Sequence, residues 1–200
     1  MKPIILASGS AIRRQLLEAA GLTIEAVPAR IDERLVEAEL ASRTQPLTIA
    51  ETALLLAEKK ASEVSGRRPG ALVIGCDQML DLEGVVLHKA EDREAAKQKL
   101  QRLRGRTHHL RSGMALVFDG QTIWRHNAAG KLTMRDFSDA FLDQYLDRAG
   151  DAVTRSVGAY ELEGTGVQLF ESIEGDYFTI LGLPLLPLLD ALRRQGVIAE

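Results

Sequence analysis

Residues 4–17 have the sequence IILASGSAIRRQLL. An apolar run ends in Ser8, Gly9 and Ser10, and a helical pattern with two adjacent arginines follows at once. This order predicts a strand, a tight turn and the start of a helix. Backbone N–H groups at a helix start attract anions, and hydroxyl and guanidinium groups add donors that suit phosphate oxygens. The stretch therefore predicts a phosphate-binding turn, although it lacks the Gly-Lys-Ser/Thr of a P-loop.

The composition is that of an ordinary globular protein, and the length of 200 residues predicts one domain over residues 1–200. The net charge of −3 argues against a protein that binds a nucleic acid polymer. Because Cys76 is the single cysteine, an internal disulfide is excluded and a reducing compartment is favoured. No signal peptide and no membrane-spanning apolar run is found. We therefore expect a cytoplasmic protein that does not bind a membrane.

Helical and strand-like patterns alternate along the chain and predict a mixed α/β domain, with a twisted, partly antiparallel sheet flanked by helices. Helices are predicted over residues 11–20, from near Pro46 to Ala61, over 91–103, from Ser138 to Arg148 and after Pro184. Strands are predicted over residues 23–27, 71–76, 79–82, 85–87, 107–118, 122–134 and 167–170, with hairpin turns at Glu83-Gly84 and Asp119-Gly120.

Asp77 follows the continuous apolar run of residues 71–76, which is typical of a strand buried on both faces. A carboxylate at the end of such a strand lies where α/β sheets place ligands, but an aspartate there is equally typical of a turn or cap. Asp32-Glu33 and Lys89 add the oxygen ligands and the cation that metal-assisted phosphoanhydride chemistry requires. The histidines show no zinc-binding spacing and are interpreted as structural or exposed, and Cys76 is interpreted as a packed thiol.

Taken in order, these segments resemble the Maf family of nucleotide pyrophosphatases over nearly the whole chain. The resemblance rests on residues 6–17, 32–33, 60–61, 74–78 and 89, and on the later segments 158–160, 163–164, 173–177 and 182–185. It implies a Maf/inosine-triphosphatase-like α/β fold with two lobes around a central cleft, often in a homodimer. It also implies hydrolysis of a nucleoside triphosphate to the monophosphate and pyrophosphate with a divalent metal cation, Mg²⁺ or Mn²⁺.

The resemblance assigns a role to each matching residue of the site. Asp77 is the proton acceptor that activates water, and Glu33 and Asp77 are the metal-binding carboxylates. The phosphate-facing positions are Ser8, Ser10, Arg13, Lys60 and Lys89. In this hypothesis, water deprotonated by Asp77 attacks the α-phosphorus and pyrophosphate leaves.

Three positions bear on which base is recognised. Gln78 and Glu163 resemble the branch of the family that acts on 7-methyl-GTP, and an acid can pair with the N1–H and 2-amino edge of a guanine. Ile12 departs from that branch, which typically has a tryptophan there to stack on a cationic methylated base. The alternative is a pyrophosphatase for dTTP and UTP, whose members have Asp-Thr at the catalytic site and a glutamine before the later glycine.

Two functions of other classes stay open from the sequence. One is a nucleotide-binding regulator of septum formation without turnover, since the family takes its name from a septum phenotype. The other is a nucleotidyl transferase, which would need an acceptor site that the sequence does not show. The complete set of carboxylates and lysines favours the hydrolase, because a sensor needs no water-activating base.

Overall fold

The computed structural model describes residues 2–199, so Met1 and Glu200, the two ends of the predicted 1–200 domain, lie outside it. The described chain divides into two compact units. Unit 1 contains the residues up to Gln78, Ser112–Ala128 and the residues from Tyr177 onward. Unit 2 contains Met79–Arg111 and Ala129–Asp176. The single domain expected over residues 1–200 stays a prediction.

The helices and strands alternate as a mixed α/β chain requires. The strands are β1 (Ile4–Leu6), β2 (Ile24–Ala26), β3 (Leu72–Leu82), β4 (Val85–Leu87), β5 (Thr107–Phe118), β6 (Gln121–Met134) and β7 (Phe170–Glu174). The helices are α1 (Ala11–Ala19), α2 (Glu33–Ala41), α3 (Ile49–Arg67), α4 (Arg93–Leu103), α5 (Asp139–Ala149), α6 (Ala152–Arg155), α7 (Tyr177–Ile180) and α8 (Leu185–Arg194), and a 3₁₀-helix covers Thr165–Leu169. Between residues 2 and 199, no helix combines the length and the apolarity needed to cross a membrane.

The strands form one mixed sheet in the order β2-β1-β3-β5-β6-β7, and β4 pairs with β3 beside this path. β1 runs parallel to both β2 and β3, with Leu6 opposite Ile74 in the second pair. β4 is antiparallel to β3, and β7 is antiparallel to β6. The predicted α/β class with a mixed sheet is therefore confirmed.

Two predicted features of the strands are wrong. The break at Asp77 does not exist, because the buried side chains of Met79, Leu80 and Leu82 continue the pattern and β3 runs on to Leu82. Asp77 therefore lies inside a long strand and not at its end. The strand predicted at 167–170 is mostly 3₁₀-helix. A Cβ on Gly166 would stand 2.5 Å from Glu161 O, so the chain turns tightly there and becomes extended only at β7.

Two predicted features of the helices also change. α2 is absent from the sequence predictions, and Asp32 proves to be its N-cap, with Oδ1 accepting a hydrogen bond from Leu35 N at 3.0 Å. The helix predicted from near Pro46 begins at Ile49, since Thr48 and Glu51 form a capping box that fixes its first turn.

The two faces of β1 and β3 pack against different helices of unit 1. In β1, Ile4 and Leu6 belong to a core with α8, while Ile5 and the following Ala7 belong to a core with α3. Residues 71–76, from just before β3 into it, divide in the same way, with the odd-numbered residues 71 and 73 on the α3 side and the even-numbered residues 72, 74 and 76 on the α8 side. Since side chains alternate along a strand, Asp77 follows on the α3 side.

Two glycines let the backbone of α3 approach the sheet closely. A Cβ on Gly75 would collide with Ala57 O and stand 2.9 Å from Ala61 Cβ. A Cβ on Gly113 of β5 would stand 2.5 Å from Ala53 C. The helix therefore lies directly on the strand backbones, and this contact sets the height of α3 above Asp77.

Charge pairs join α4 and α5 in unit 2. Arg93 contacts Asp147 at 2.6 Å, Lys97 contacts Asp143 at 2.5 Å, and Arg104, the C-cap of α4, contacts Asp139 at 2.7 Å. The residue numbers of the partners increase along α4 and decrease along α5, as expected of two antiparallel helices. Exposed pairs contribute little individually, so the pattern mainly fixes the register of the two helices.

A buried histidine lies in the core of unit 2. His108 Nε2 lies 2.7 Å from Tyr160 Oη, and Nδ1 has no hydrogen-bond partner among residues 2–199. Burial lowers the pKa of His108 to about 4, so the ring is neutral at neutral pH. Phe170 packs edge-on against Tyr160 at 4.8 Å between ring centroids. His108 is therefore a structural residue, as predicted.

Replacing Gly75 by alanine should destabilise the protein by about 3 kcal/mol or more, because the methyl group must displace the backbone of α3. Urea unfolding of Gly75→Ala and of Gly66→Ala measures this. Gly66 lies in α3 with nothing within 4 Å of the place that a methyl group would occupy, so its alanine variant should gain up to about 1 kcal/mol from helix propensity. Equal stability of the two variants would contradict the close contact.

Candidate active site

Lys60 holds two carboxylates at one point of unit 1. Its Nζ lies 2.6 Å from Asp77 Oδ1 and 2.8 Å from Glu33 Oε1. The side chains of Lys60 and Asp77 are only 10% and 8% exposed, whereas that of Glu33 is 50% exposed. An unpaired charge costs several kcal/mol in a buried place, so Asp77 requires Lys60, and Lys60 is balanced by both carboxylates. The three groups together carry one formal negative charge in excess.

Three elements supply these groups, each for a local reason. Lys60 lies on α3, the helix that packs on Gly75 of β3. Gly75 precedes Asp77 by two residues in the same strand. α2 presents Glu33 at its first position, since Asp32 is used as the N-cap. Of the two acidic neighbours singled out in the sequence, Glu33 therefore reaches the site and Asp32 caps a helix.

Glu33 and Asp77 have the chemistry of ligands for a hard divalent cation. Carboxylate oxygens suit Mg²⁺ and Mn²⁺, and Mg²⁺ is often held by one or two carboxylates with water and substrate phosphates completing its shell. Two carboxylates within reach of one ammonium group fit such a shared site. Across residues 2–199, no cluster of three or more His, Cys, Asp or Glu side chains is arranged to hold a metal. The metal assignment stays a prediction.

The turn before α1 has the donors that its sequence predicts. Ser10 is the N-cap of α1, and its Oγ accepts from Arg13 N at 3.5 Å. Ser8 Oγ accepts from Ser10 N at 3.2 Å. Neither hydroxyl donates a hydrogen bond to another residue of the described chain. Both O–H groups and the first N–H groups of α1 can therefore serve an anion.

Arg13 is bound to its own protein through Nε and Nη1 of the guanidinium. Nε donates to Gly182 O at 2.8 Å, and Nη1 donates to Cys76 O at 3.0 Å and to Ser8 Oγ at 3.2 Å. These bonds use three of the five N–H groups of arginine. Only the two N–H groups on Nη2 make no hydrogen bond among residues 2–199. The phosphate-facing role of Arg13 stays a prediction, and it is confined to Nη2.

Gln78 is also engaged within unit 1. Its Nε2 donates to Thr179 O at 3.0 Å, to Ile180 O at 3.2 Å and to Ser112 Oγ at 3.1 Å. An amide nitrogen has two N–H groups, so these contacts occupy both. The predicted specificity role of Gln78 can therefore not use its amide nitrogen in this conformation.

Ser112 and the carbonyl groups of α7 belong to the site but were not identified from the sequence, and Gly182 was named there only within the resemblance at 182–185. Backbone carbonyls leave no signature in a sequence. The one available signal was Gly182, a glycine between a short helix and the Leu-Pro that leads into α8.

The predicted site residues divide between the two units. Unit 1 contains Ser8, Ser10, Ile12, Arg13, Glu33, Lys60, Asp77 and Gln78, and unit 2 contains Lys89 and Glu163. Ile12 is partly buried in the first turn of α1. Lys89 is exposed after β4, and Glu163 is exposed shortly before the 3₁₀-helix.

A partly buried lysine, Lys99, supports the segment that carries Lys89. Lys99 Nζ donates to His88 O and to Val157 O, the second at 3.0 Å. Burial lowers the pKa of Lys99 to about 8. The neighbour of Lys89 is therefore tied to the core of unit 2 while the Lys89 side chain stays exposed.

Cys76 is fully buried beside Asp77, and burial raises the pKa of its thiol to about 11. A thiol in this state is not a nucleophile at neutral pH. The interpretation of Cys76 as a packed thiol is therefore supported.

Comparison with solved structures gives a match to a nucleoside-triphosphatase, a dITP/XTP pyrophosphatase from Mycobacterium abscessus. It covers 97% of this chain and 94% of that chain, with a TM-score of 0.42 and 15% sequence identity.

Comparison with curated proteins gives much higher identity. The chain is 54% identical over 195 residues to the 7-methyl-GTP pyrophosphatase of Mesorhizobium japonicum, which covers 98% of this chain and 97% of that protein. It is 54% identical over 193 residues to the nucleoside triphosphate pyrophosphatase of Paramagnetospirillum magneticum, over 96% of this chain and 98% of that protein. The family profile described as Maf-like protein matches residues 3–195. The chain therefore belongs to the Maf family.

Proposed function

We propose that this protein hydrolyses a nucleoside triphosphate to the nucleoside monophosphate and pyrophosphate. The observation that carries the proposal is the buried Asp77 carboxylate, held at 2.6 Å by Lys60 Nζ. Arg13 joins it to the anion-binding turn, because its guanidinium bonds both to Ser8 and to the carbonyl of Cys76. The names of relatives at 54% identity over nearly the whole chain support the same reaction class.

Asp77 is suited to take a proton from water. Its Oδ1 faces Lys60, while Oδ2 makes no hydrogen bond or ion pair among residues 2–199. In the proposed step, Oδ2 accepts the proton of a water whose oxygen attacks the α-phosphorus. The bond from the α-phosphorus to the bridging oxygen breaks, and the electron pair leaves with pyrophosphate.

The other residues of unit 1 bind and orient the triphosphate. Arg13 Nη2 and the hydroxyls of Ser8 and Ser10 supply donors to its oxygens. Glu33 and Asp77 would hold the divalent cation, which when bound neutralises phosphate charge and polarises the phosphoryl group. Lys60 balances the two carboxylates, so these three side chains carry a single excess negative charge.

For the substrate, we propose 7-methyl-GTP in preference to dTTP and UTP. Glu163 is exposed and can accept from the N1–H and 2-amino groups of a guanine. The relative from Mesorhizobium japonicum is a 7-methyl-GTP pyrophosphatase by name, whereas that from Paramagnetospirillum magneticum carries only the general name. Ile12 offers no aromatic ring, so we expect weaker selection for the methylated base than a tryptophan would give.

Asp77→Asn should lower turnover by about 10²- to 10⁴-fold, because the amide cannot accept the proton of water. Pyrophosphate release from a nucleoside triphosphate measures it, with thermal unfolding to show that the variant is folded. The matched control is Asp190→Asn, which changes an exposed aspartate paired with Arg194 on α8. Near-normal turnover of Asp77→Asn would remove Asp77 from its role, and release of single phosphates by the wild-type protein would reject the cleavage position.

Glu163→Gln should lower kcat/KM for 7-methyl-GTP and GTP by about 10- to 100-fold, the effect of losing a hydrogen bond to a charged group. The values for dTTP and UTP should not change. A panel of these four nucleotides with the wild-type protein, Glu163→Gln and the exposed control Glu171→Gln measures the effect. A wild-type preference for dTTP and UTP would overturn the proposed substrate and leave the reaction class standing.

A further inference from the structure

We propose that the turn formed by residues 179–182 is a positioning element for Arg13, and that Gln78 influences the substrate through this turn. Gly182 is its central positioning residue. The inference rests on the proposed function in one respect, namely that Arg13 binds the triphosphate. The contacts within unit 1 that support it do not depend on that function.

The first observation is the set of bonds that fixes Arg13. Its Nε donates to Gly182 O, a residue 169 positions later in the chain, and Nη1 donates to Cys76 O. The guanidinium is planar and rigid, so acceptors on two sides fix its plane. The directions of its remaining two N–H groups, both on Nη2, are then fixed within that plane.

The second observation is the conformation of Gly182. Its φ is +90°, a region that side chains rarely adopt, and the turn is closed by Gly182 N to Thr179 O at 3.0 Å and Leu183 N to Phe178 O at 3.0 Å. These two bonds form a Schellman motif, in which the left-handed residue is usually glycine. The motif directs the carbonyl of Gly182 toward Arg13.

The third observation is the lack of space at Gly182. A Cβ there would stand 3.3 Å from Arg13 Nη2, 3.4 Å from Arg13 Nε and 3.4 Å from Gln78 Oε1. Arg13 and Gln78 therefore meet at this glycine. A methyl group at this position would crowd Nη2, the nitrogen of Arg13 that is left for a ligand.

The fourth observation is that Gln78 holds the same turn. Its Nε2 donates to Thr179 O and Ile180 O, two carbonyls of α7. Ser112 Oγ also donates to Thr179 O, at 3.3 Å, and accepts from Gln78 Nε2. Gln78 is thus hydrogen-bonded to the turn, and the turn accepts a hydrogen bond from Arg13 through Gly182 O. Arg13 also donates to the carbonyl of Cys76. Residues 76 and 78 flank Asp77, so one short piece of β3 aligns both the base and the guanidinium.

The test combines activity with a direct signal from Arg13. In the free protein, the ¹⁵N-labelled Arg13 Nε–H, assigned by its absence in Arg13→Lys, should exchange slowly with solvent because Gly182 O accepts from it. In Gly182→Ala, the Arg13 Nε–H should exchange faster with solvent. The variant should also have a kcat/KM about 10- to 100-fold lower, because its phosphate-binding group is misplaced. The matched control is Gly120→Ala, since Gly120 has a φ of +78° and an added methyl group there would meet nothing within 4 Å. Equal exchange and equal kcat/KM in the two variants would overturn the proposal.

Gln78→Met provides a second variant that keeps the volume and removes the N–H groups. The proposal predicts faster exchange of Arg13 Nε–H and lower kcat/KM for every nucleotide tested. An unchanged Arg13 signal with an effect on one base alone would show that Gln78 reads the base directly, against the proposal. If the wild-type protein released no pyrophosphate, the proposed function would fail, while the exchange rates would still decide whether the turn positions Arg13.

Discussion

The ion pair between Lys60 and Asp77 is the interaction on which the site depends. Both side chains are nearly inaccessible to water, so the Asp77 charge depends on Lys60, while Lys60 contacts both Asp77 and Glu33. The pair forms because α3 lies directly on β3 at Gly75 and because Asp77 follows Gly75 on the same face of the strand. A larger residue at position 75 would lift the helix and separate the two charges. The packing of the core therefore sets the geometry of the chemistry.

The site of unit 1 is largely organised by the protein itself. Arg13 spends three of its N–H groups on its own chain, Gln78 spends both of its amide N–H groups, and the serine oxygens accept bonds from the turn and from Arg13. What is left for a ligand is specific: Nη2 of Arg13, the hydroxyl protons and Oδ2 of Asp77. Groups held in this way need little rearrangement when charge develops on a substrate, which is the basis of electrostatic preorganisation.

The parts of the fold that local sequence governs were predictable. The turn at Ser8–Ser10, the hairpin at Asp119-Gly120 and the cap at Ser138 are encoded by residues within a few positions of each other. Asp77 was singled out because it follows a buried apolar run, whereas the role of Lys60 came from resemblance, and the structure places the two in contact. The end predicted for the strand at Asp77 was wrong, because a single charged residue does not stop a strand whose burial continues on both sides. Contacts such as Arg13 with Gly182 could not be predicted, since they join distant segments through a backbone carbonyl.

The mutual dependence of the charges on Lys60 and Asp77 can be measured as the coupling free energy between the two residues. It is obtained from urea unfolding of the wild-type protein, Lys60→Met, Asp77→Asn and the double variant, with Lys59→Met as the exposed neighbour on the same helix. We expect Lys60→Met alone to be strongly destabilising, and the double variant to lose at least about 1 kcal/mol less stability than the sum of the losses in the single variants. Single losses that add to within about 0.5 kcal/mol would contradict this expectation.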